Sequence, residues 1–143
     1  MNGYRAMKRF DWPVRVYYED TDAGGVVYYA NYLKFLERAR TELLRSKGYE
    51  QDALMRDRDI VFAVRSMTVD YLKPALFNDE LLVGSELTTL KRASMLFEQT
   101  ISRIGGDRAL LCRAQVRIAC VNVQRMRPSP LPDELFRSLT NDA

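Results

Sequence analysis

Three carboxylates fall within four consecutive residues, Glu19-Asp20-Thr21-Asp22, and a glycine pair, Gly24-Gly25, follows at once. An ionised carboxylate can act as a nucleophile or as a general base. Glycines permit positive φ and let backbone come close to a ligand. The periodic run that begins near Ala30 predicts a helix, and the first N–H groups of a helix have no partner inside it and favour negative charge. A carboxylate beside such donors suits attack on a carbonyl, with the donors holding the oxyanion that forms. Asp22 also has a plainer reading. An aspartate just ahead of a glycine turn often accepts a hydrogen bond from its own backbone, and residue type and spacing alone favour that role.

Composition narrows the chemistry. The 143 residues include no histidine, which removes Ser-His-Asp and Cys-His catalysis, histidine-ligated zinc and any dehydratase that relies on an imidazole base. Carboxylate, tyrosine, lysine and cysteine remain for acid–base work. A net charge of +3, with its lysines and arginines scattered, argues against a nucleic-acid binder, which concentrates its basic residues on one face. It is compatible with an anionic small molecule at a basic rim. Cys112 and Cys120 lie eight apart in one predicted strand, about 26 Å at ~3.3 Å per residue, too far to bridge. They read as reduced core cysteines of a cytoplasmic protein. The N-terminus has no apolar signal-peptide core, and no segment has the length and apolarity of a membrane span. The length fits one domain, 1–143.

The elements that must position these residues follow from periodicity. Residues 1–11 read as a loose lead-in, and WPVRVYY, Trp12 to Tyr18, as a strand with Pro13 at its beginning. A helix is expected from about Ala30 to Lys47, with Tyr32, Leu36, Ala39 and Leu43 as its apolar stripe, widened by Leu33 and Phe35. Asn31 or a residue just before it is the candidate cap, and Gly48 the stop. Arg38–Glu42 is a neighbouring opposite pair. Residues 49–58 suit a short helical turn. Strands are expected over Ile60–Leu72, Leu81–Leu90 and Met95–Ile104, with Asn78-Asp79 and Gly105-Gly106-Asp107 as turns. In the last strand Leu110, Cys112, Ala114, Val116, Ile118 and Cys120 point one way, and Arg113, Gln115 and Arg117 the other. A basic, proline-rich tail and a short helix over Asp133–Leu139 close the chain. One long helix lying in the curve of an antiparallel sheet satisfies this α+β order with a single core.

The run VYYEDTDAGGVVYYANYLKFLERARTELLR resembles the active-site segment of the hotdog-fold acyl-CoA thioesterases. It is most similar to the YbgC type, associated with the Tol-Pal cell-envelope system, and to the 4-hydroxybenzoyl-CoA thioesterases. DWPVRVYY, VRSMTVDYLKPA and RMRPSPLP fit as well, so the resemblance covers nearly the whole chain. It implies a hotdog fold, a central helix wrapped by a five- to six-stranded antiparallel sheet. Subunits would pair edge to edge and assemble into a homotetramer built from dimers. It also implies hydrolysis of an acyl-CoA thioester with no metal or other cofactor. An acyl carrier protein is a further possible carrier, and neither nucleic acid nor a membrane span is expected.

Carried onto this sequence, the resemblance places the catalytic carboxylate on Asp22 and the oxyanion-binding backbone N–H on Tyr29. YbgC-type sequences commonly carry histidine at the latter position, while the 4-hydroxybenzoyl-CoA type carries tyrosine. Asp20 is expected to hold the loop. Glu37 is the rival carboxylate, expected to pair with Arg40 or a neighbouring strand. Gly24, Gly25 and Tyr28 are candidate substrate contacts. Lys91 and Arg92, with Arg125 and Arg127, are candidate partners for the phosphates of CoA. Tyr32 is read as core. A non-catalytic acyl-CoA or acyl-carrier-protein binding module of the same fold is the alternative function.

Overall fold

The computed structural model describes residues 9–141. The expected lead-in falls partly outside them, at residues 1–8. Its last two residues already belong to the first strand. Strand β1 is Phe10–Arg15, helix α1 Ala30–Ser46, helix α2 Gln51–Arg58 and strand β2 Ile60–Tyr71. Strands β3 (Glu80–Leu90), β4 (Ser94–Arg103) and β5 (Leu110–Asn122) follow, then the two-residue β6 (Arg127–Pro128) and helix α3 (Asp133–Asn141). The strands form one antiparallel sheet in the order β1-β3-β4-β5-β2, with β6 added to β5.

The α1 stripe behaves as its period requires. Tyr32, Phe35, Leu36, Ala39 and Leu43 are buried in one cluster with Leu81, Val83 and Leu87 of β3, Phe97 and Ile101 of β4, and Val116 and Ile118 of β5. Each fully buried large apolar side chain contributes about 1.5–3 kcal/mol. This cluster therefore fixes the helix in the curve of the sheet, the hotdog arrangement.

Several local expectations are corrected. The first strand ends at Arg15, and Tyr18–Asp20 form a 3-10 turn, because the Asp20 carboxylate accepts the Tyr17 N–H at 2.9 Å and curls the chain. Leu33 is exposed and does not widen the stripe. Asn31 lies inside α1 and is no cap; its amide donates to the Asp20 carbonyl at 2.9 Å. Glu42 pairs with Arg45 and not with Arg38. Leu110 is exposed while Leu111 is fully buried, because a bulge shifts the register where Ile101 faces Cys112 and Ser102 faces Leu110. One extra residue reverses which side points inward. From Cys112 to Cys120 the inward set is as expected. Both cysteines are free and buried, and burial pushes each thiol pKa up to about 11.

Candidate functional site

The acidic loop closes on itself as a miniature hairpin. The Tyr28 N–H donates to the Asp20 carbonyl, Thr21 bridges Val27, and the Asp22 N–H donates to the Val26 carbonyl. Asp22 and the glycines occupy the tip, and α1 begins where the returning arm ends. The two glycines have separate reasons. Gly25 sits at φ +79°, a left-handed conformation unfavourable to other residues. Gly24 has no positive φ; a Cβ there would lie 3.3 Å from Asp22 Oδ1. The Gly24 N–H donates to that oxygen at 2.9 Å. The plainer reading of Asp22 is thus part of its geometry, and the bond orients the exposed carboxylate while leaving Oδ2 uncommitted among the described residues.

At the helix start, the N–H groups of Asn31 and Tyr32 donate to the carbonyls of Tyr28 and Tyr29. The Tyr29 N–H meets no acceptor among the described residues. No acidic side chain occupies the first turn of α1, so the positive end of the helix dipole is uncompensated there. The Tyr29 ring is exposed and lies between Tyr28 and Tyr71, at centroid distances of 5.1 and 5.4 Å.

A third segment, 74–79, holds the loop against the helix. Ala75 donates its N–H to the buried Tyr32 hydroxyl at 2.8 Å and accepts the Val27 N–H at 2.9 Å. Burial raises the Tyr32 phenol pKa. Arg103 fixes the segment from below, donating to the Pro74 carbonyl and to Asp79. Asp79 in turn accepts the Leu76 N–H. Sequence reasoning missed Arg103, and nothing in the spacing of β4 marks it.

Further along α1 lies a polar group inside the core. Arg40 is 6% exposed and donates to Gln99 Oε1 at 2.9 Å. The Gln99 amide is held by the Leu36 carbonyl and by Ser85 Oγ. Arg40 therefore donates its hydrogen bond to a strand and not to Glu37, which is exposed and acts on it only through its field. Burial lowers the Arg40 pKa to about 10. The signal for this network was available. Gln99 occupies the inward phase between Phe97 and Ile101, and Arg40 falls on the buried face four residues after Leu36.

Within one chain, Asp22, Gly24, Gly25 and Tyr28 lie along one hairpin that leads into Tyr29 at the helix start, and Lys91 and Arg92 lie elsewhere. The loop packs at the Glu80 end of β3, where the Val16 N–H reaches the Asp79 carbonyl. Lys91 and Arg92 follow Leu90 at the other end, roughly 33 Å away at ~3.3 Å per residue. A concavity of about 350 Å³ lies on the outer sheet face between Arg9, Glu86, Glu98 and Arg113 and includes no residue of the loop or of α1. Among the described residues no cluster of ligands could hold a metal ion, and no helix is long and apolar enough to cross a membrane.

A long helix cradled by an antiparallel sheet, with an aspartate-glycine loop at the helix start, defines the class as hotdog thioesterases. The thioesterase-like superfamily model matches residues 16–139. The acyl-CoA thioester hydrolase YbgC of Escherichia coli O6:H1 is 48% identical over 126 residues, covering 88% of this chain and 92% of that protein. Slr0204, a 1,4-dihydroxy-2-naphthoyl-CoA thioesterase from Synechocystis, superposes with a TM-score of 0.85 at 26% identity over 92% of this chain and 96% of that one. A 4-hydroxybenzoyl CoA thioesterase mutant shares the fold, with a TM-score of 0.83 at 21% identity over 92% of this chain and 98% of that one. The chain belongs to the YbgC-type acyl-CoA thioesterases of this superfamily. It is a thioester hydrolase acting on acyl-CoA.

Proposed function

We propose that Asp22 carries the hydrolysis and that the Tyr29 N–H binds the oxyanion. The observation that supports this most is that the hairpin and the helix start it leads into each carry a leftover group, an uncommitted carboxylate oxygen and an unpaired N–H, among the described residues. A thioester carbonyl is electrophilic and its thiolate is a fair leaving group, so a modest nucleophile and a stabilised oxyanion suffice. In one route Asp22 attacks the carbonyl carbon, CoA leaves as thiolate, and water hydrolyses the mixed anhydride. In the other, Asp22 takes a proton from water as that water attacks, and the proton passes to the departing thiolate. Tyr29 supplies only its backbone in this scheme, so a tyrosine side chain serves where YbgC-type chains carry histidine. Gly24 and Gly25 keep the backbone low around the thioester, and Tyr28 borders it.

The site is completed by a second copy. Strand β2 is the outer strand on its side of the sheet, with Val64 and Tyr71 as exposed apolar side chains, and an unpaired edge calls for cover. Antiparallel pairing of β2 with its own copy sets the Tyr71 end of one subunit beside the Ile60 end of the other. The Tyr29 ring lies against Tyr71 at the first end. The Lys91-Arg92 turn lies near the second, since Ala93 and Phe62 both join Cys120. The partner subunit's Lys91 and Arg92 then face the CoA phosphates of a thioester bound at Asp22. Two such dimers form the tetramer. The resemblance to the YbgC type also supports a cytoplasmic enzyme that works beside the Tol-Pal system, with an acyl carrier protein as a second carrier.

The test is thiol release from a panel of acyl-CoAs by wild type and Asp22→Asn. The expected result is a loss of a hundredfold or more in a folded variant. Unchanged hydrolysis would move the chemistry to another carboxylate, Glu37 first. Retained acyl-CoA binding with no hydrolysis by wild type would favour a binding module.

A further inference from the structure

Arg103, at the end of β4, commits each nitrogen of its guanidinium to a different group. Nη1 donates to Asp107 of the β4–β5 connection at 2.7 Å, Nε to Asp79 at 3.0 Å, and Nη2 to the Pro74 carbonyl at 2.8 Å. Two carboxylates already match the charge of this side chain, which is 16% exposed. The third bond goes to a neutral carbonyl. That carbonyl shares its peptide group with the Ala75 N–H, which donates to the buried Tyr32 hydroxyl at 2.8 Å. A peptide group is planar, so a donor on its oxygen and an acceptor on its N–H set its orientation from both ends. A charged donor on the oxygen also polarises the amide and strengthens the bond that its N–H makes. The next carbonyl along, that of Ala75, accepts the Val27 N–H at 2.9 Å, and Leu76 bridges Val26. Asp79 completes the frame, because the oxygen that accepts from Arg103 also accepts the Leu76 N–H at 2.9 Å.

Val27 lies just before Tyr29 in the chain, and Tyr32 just after it. Ala75 therefore grips the backbone on both sides of the Tyr29 N–H, and Arg103 grips the peptide group of Ala75. We propose that Arg103 is a positioning residue for the hydrolysis: through the Pro74–Ala75 peptide it sets where the Tyr29 N–H stands relative to the thioester oxygen. The inference rests on the oxyanion role proposed for that N–H. It calls for arginine in particular, whose planar fork holds its donors in fixed directions, whereas a lysine ammonium is a point charge on a flexible stem. A displacement of about 1 Å at a reacting group can cost on the order of a hundredfold in rate, so a contact remote from the thioester can govern kcat. The arms of the guanidinium then have separable duties. The Asp107 arm ties the β4–β5 connection, and the Pro74 and Asp79 arms hold the segment against which the helix start is set.

The test compares Arg103→Met, Arg103→Lys and Asp107→Asn with wild type. It reads kcat and KM on the best substrate of the acyl-CoA panel, the thermal midpoint, and hydrogen exchange at the Val27 amide. Arg103→Met is expected to lower kcat on the order of tenfold or more with KM within about twofold, and to accelerate exchange at Val27. Arg103→Lys recovers more of the thermal midpoint than of kcat. Asp107→Asn lowers the midpoint while kcat and Val27 exchange stay near wild type, which separates positioning from stability alone. Wild-type kcat in a folded Arg103→Met overturns the inference, as does an equal loss of kcat in Asp107→Asn. If Arg103→Met does not fold, Arg103→Lys decides, and wild-type kcat in that variant overturns the inference too. Unchanged exchange at Val27 in the Arg103 variants would remove the clamp itself. Faster exchange with unchanged kcat would keep the clamp and overturn its link to the reaction through Tyr29. Reduced kcat in the Arg103 variants while Asp22→Asn keeps full activity would refute the assignment of Asp22 alone and leave this inference standing.

Discussion

The start of α1 and its third turn treat polar groups in opposite ways. At the start, the Tyr29 N–H and one oxygen of Asp22 have no partner among the described residues, and both residues are exposed. At the third turn, Arg40, Gln99 and Ser85 are buried, and no buried side-chain polar atom among the described residues lacks a partner. Satisfied groups hold a structure together; unsatisfied ones are available to a reacting molecule. On the proposed assignment the same helix has one region that serves the reaction and one that serves stability, and substitutions should separate them.

The largest separation is expected from Asp22→Asn, which should remove a hundredfold or more of kcat while leaving the thermal midpoint essentially unchanged. Gln99→Leu should do the reverse. It strands the Arg40 guanidinium in the core and should cost about 2–4 kcal/mol in urea unfolding. A Gln99→Leu protein as stable as wild type would show that the network is not what holds the helix. Tyr32→Phe stands between the two regions, because it orphans the Ala75 N–H that ties the loop segment to α1. A loss of about 1–3 kcal/mol is expected, with hydrogen exchange at Ala75 accelerated first. The smallest effect concerns the sheet. With pKa values near 11, Cys112 and Cys120 are almost wholly protonated at pH 8, whereas an unfolded thiol of pKa about 8.5 is roughly one-quarter thiolate. Iodoacetamide should label them on the order of a hundredfold faster in urea than in the native protein. Native labelling should rise as pH climbs toward 11.

What could be read in advance followed from strong periodicity. The α1 boundaries, the strand succession and the inward face from Cys112 to Cys120 were legible because each repeats a simple pattern over many residues. The bulge that turns Leu110 outward was not, since a single extra residue leaves no mark on composition. The 3-10 turn at Tyr18 was hidden because its cause, Asp20 accepting from Tyr17, is a local bond that competes with strand propensity. In the site, Asp22 and Tyr29 were placed by resemblance, while their backbone surroundings needed coordinates. Lys91 and Arg92 show the deeper limit. In the proposed dimer their relation to the loop depends on which strand edge meets which, and a single chain does not encode that as a pattern.

The central claim is that Asp22 of one subunit works with the basic turn of the other. Mixing tests it most directly. Asp22→Asn and the double variant Lys91→Glu/Arg92→Glu should each be nearly inactive alone on acyl-CoA. Refolded together as mixed dimers, they leave one site in each heterodimer with both parts intact. About a quarter of wild-type activity should then return, for random assortment of an isologous pair. No recovery, with heterodimers demonstrated by differential tagging, would contradict the account, because it would place both parts of the site in the same chain or leave one of them out of the reaction.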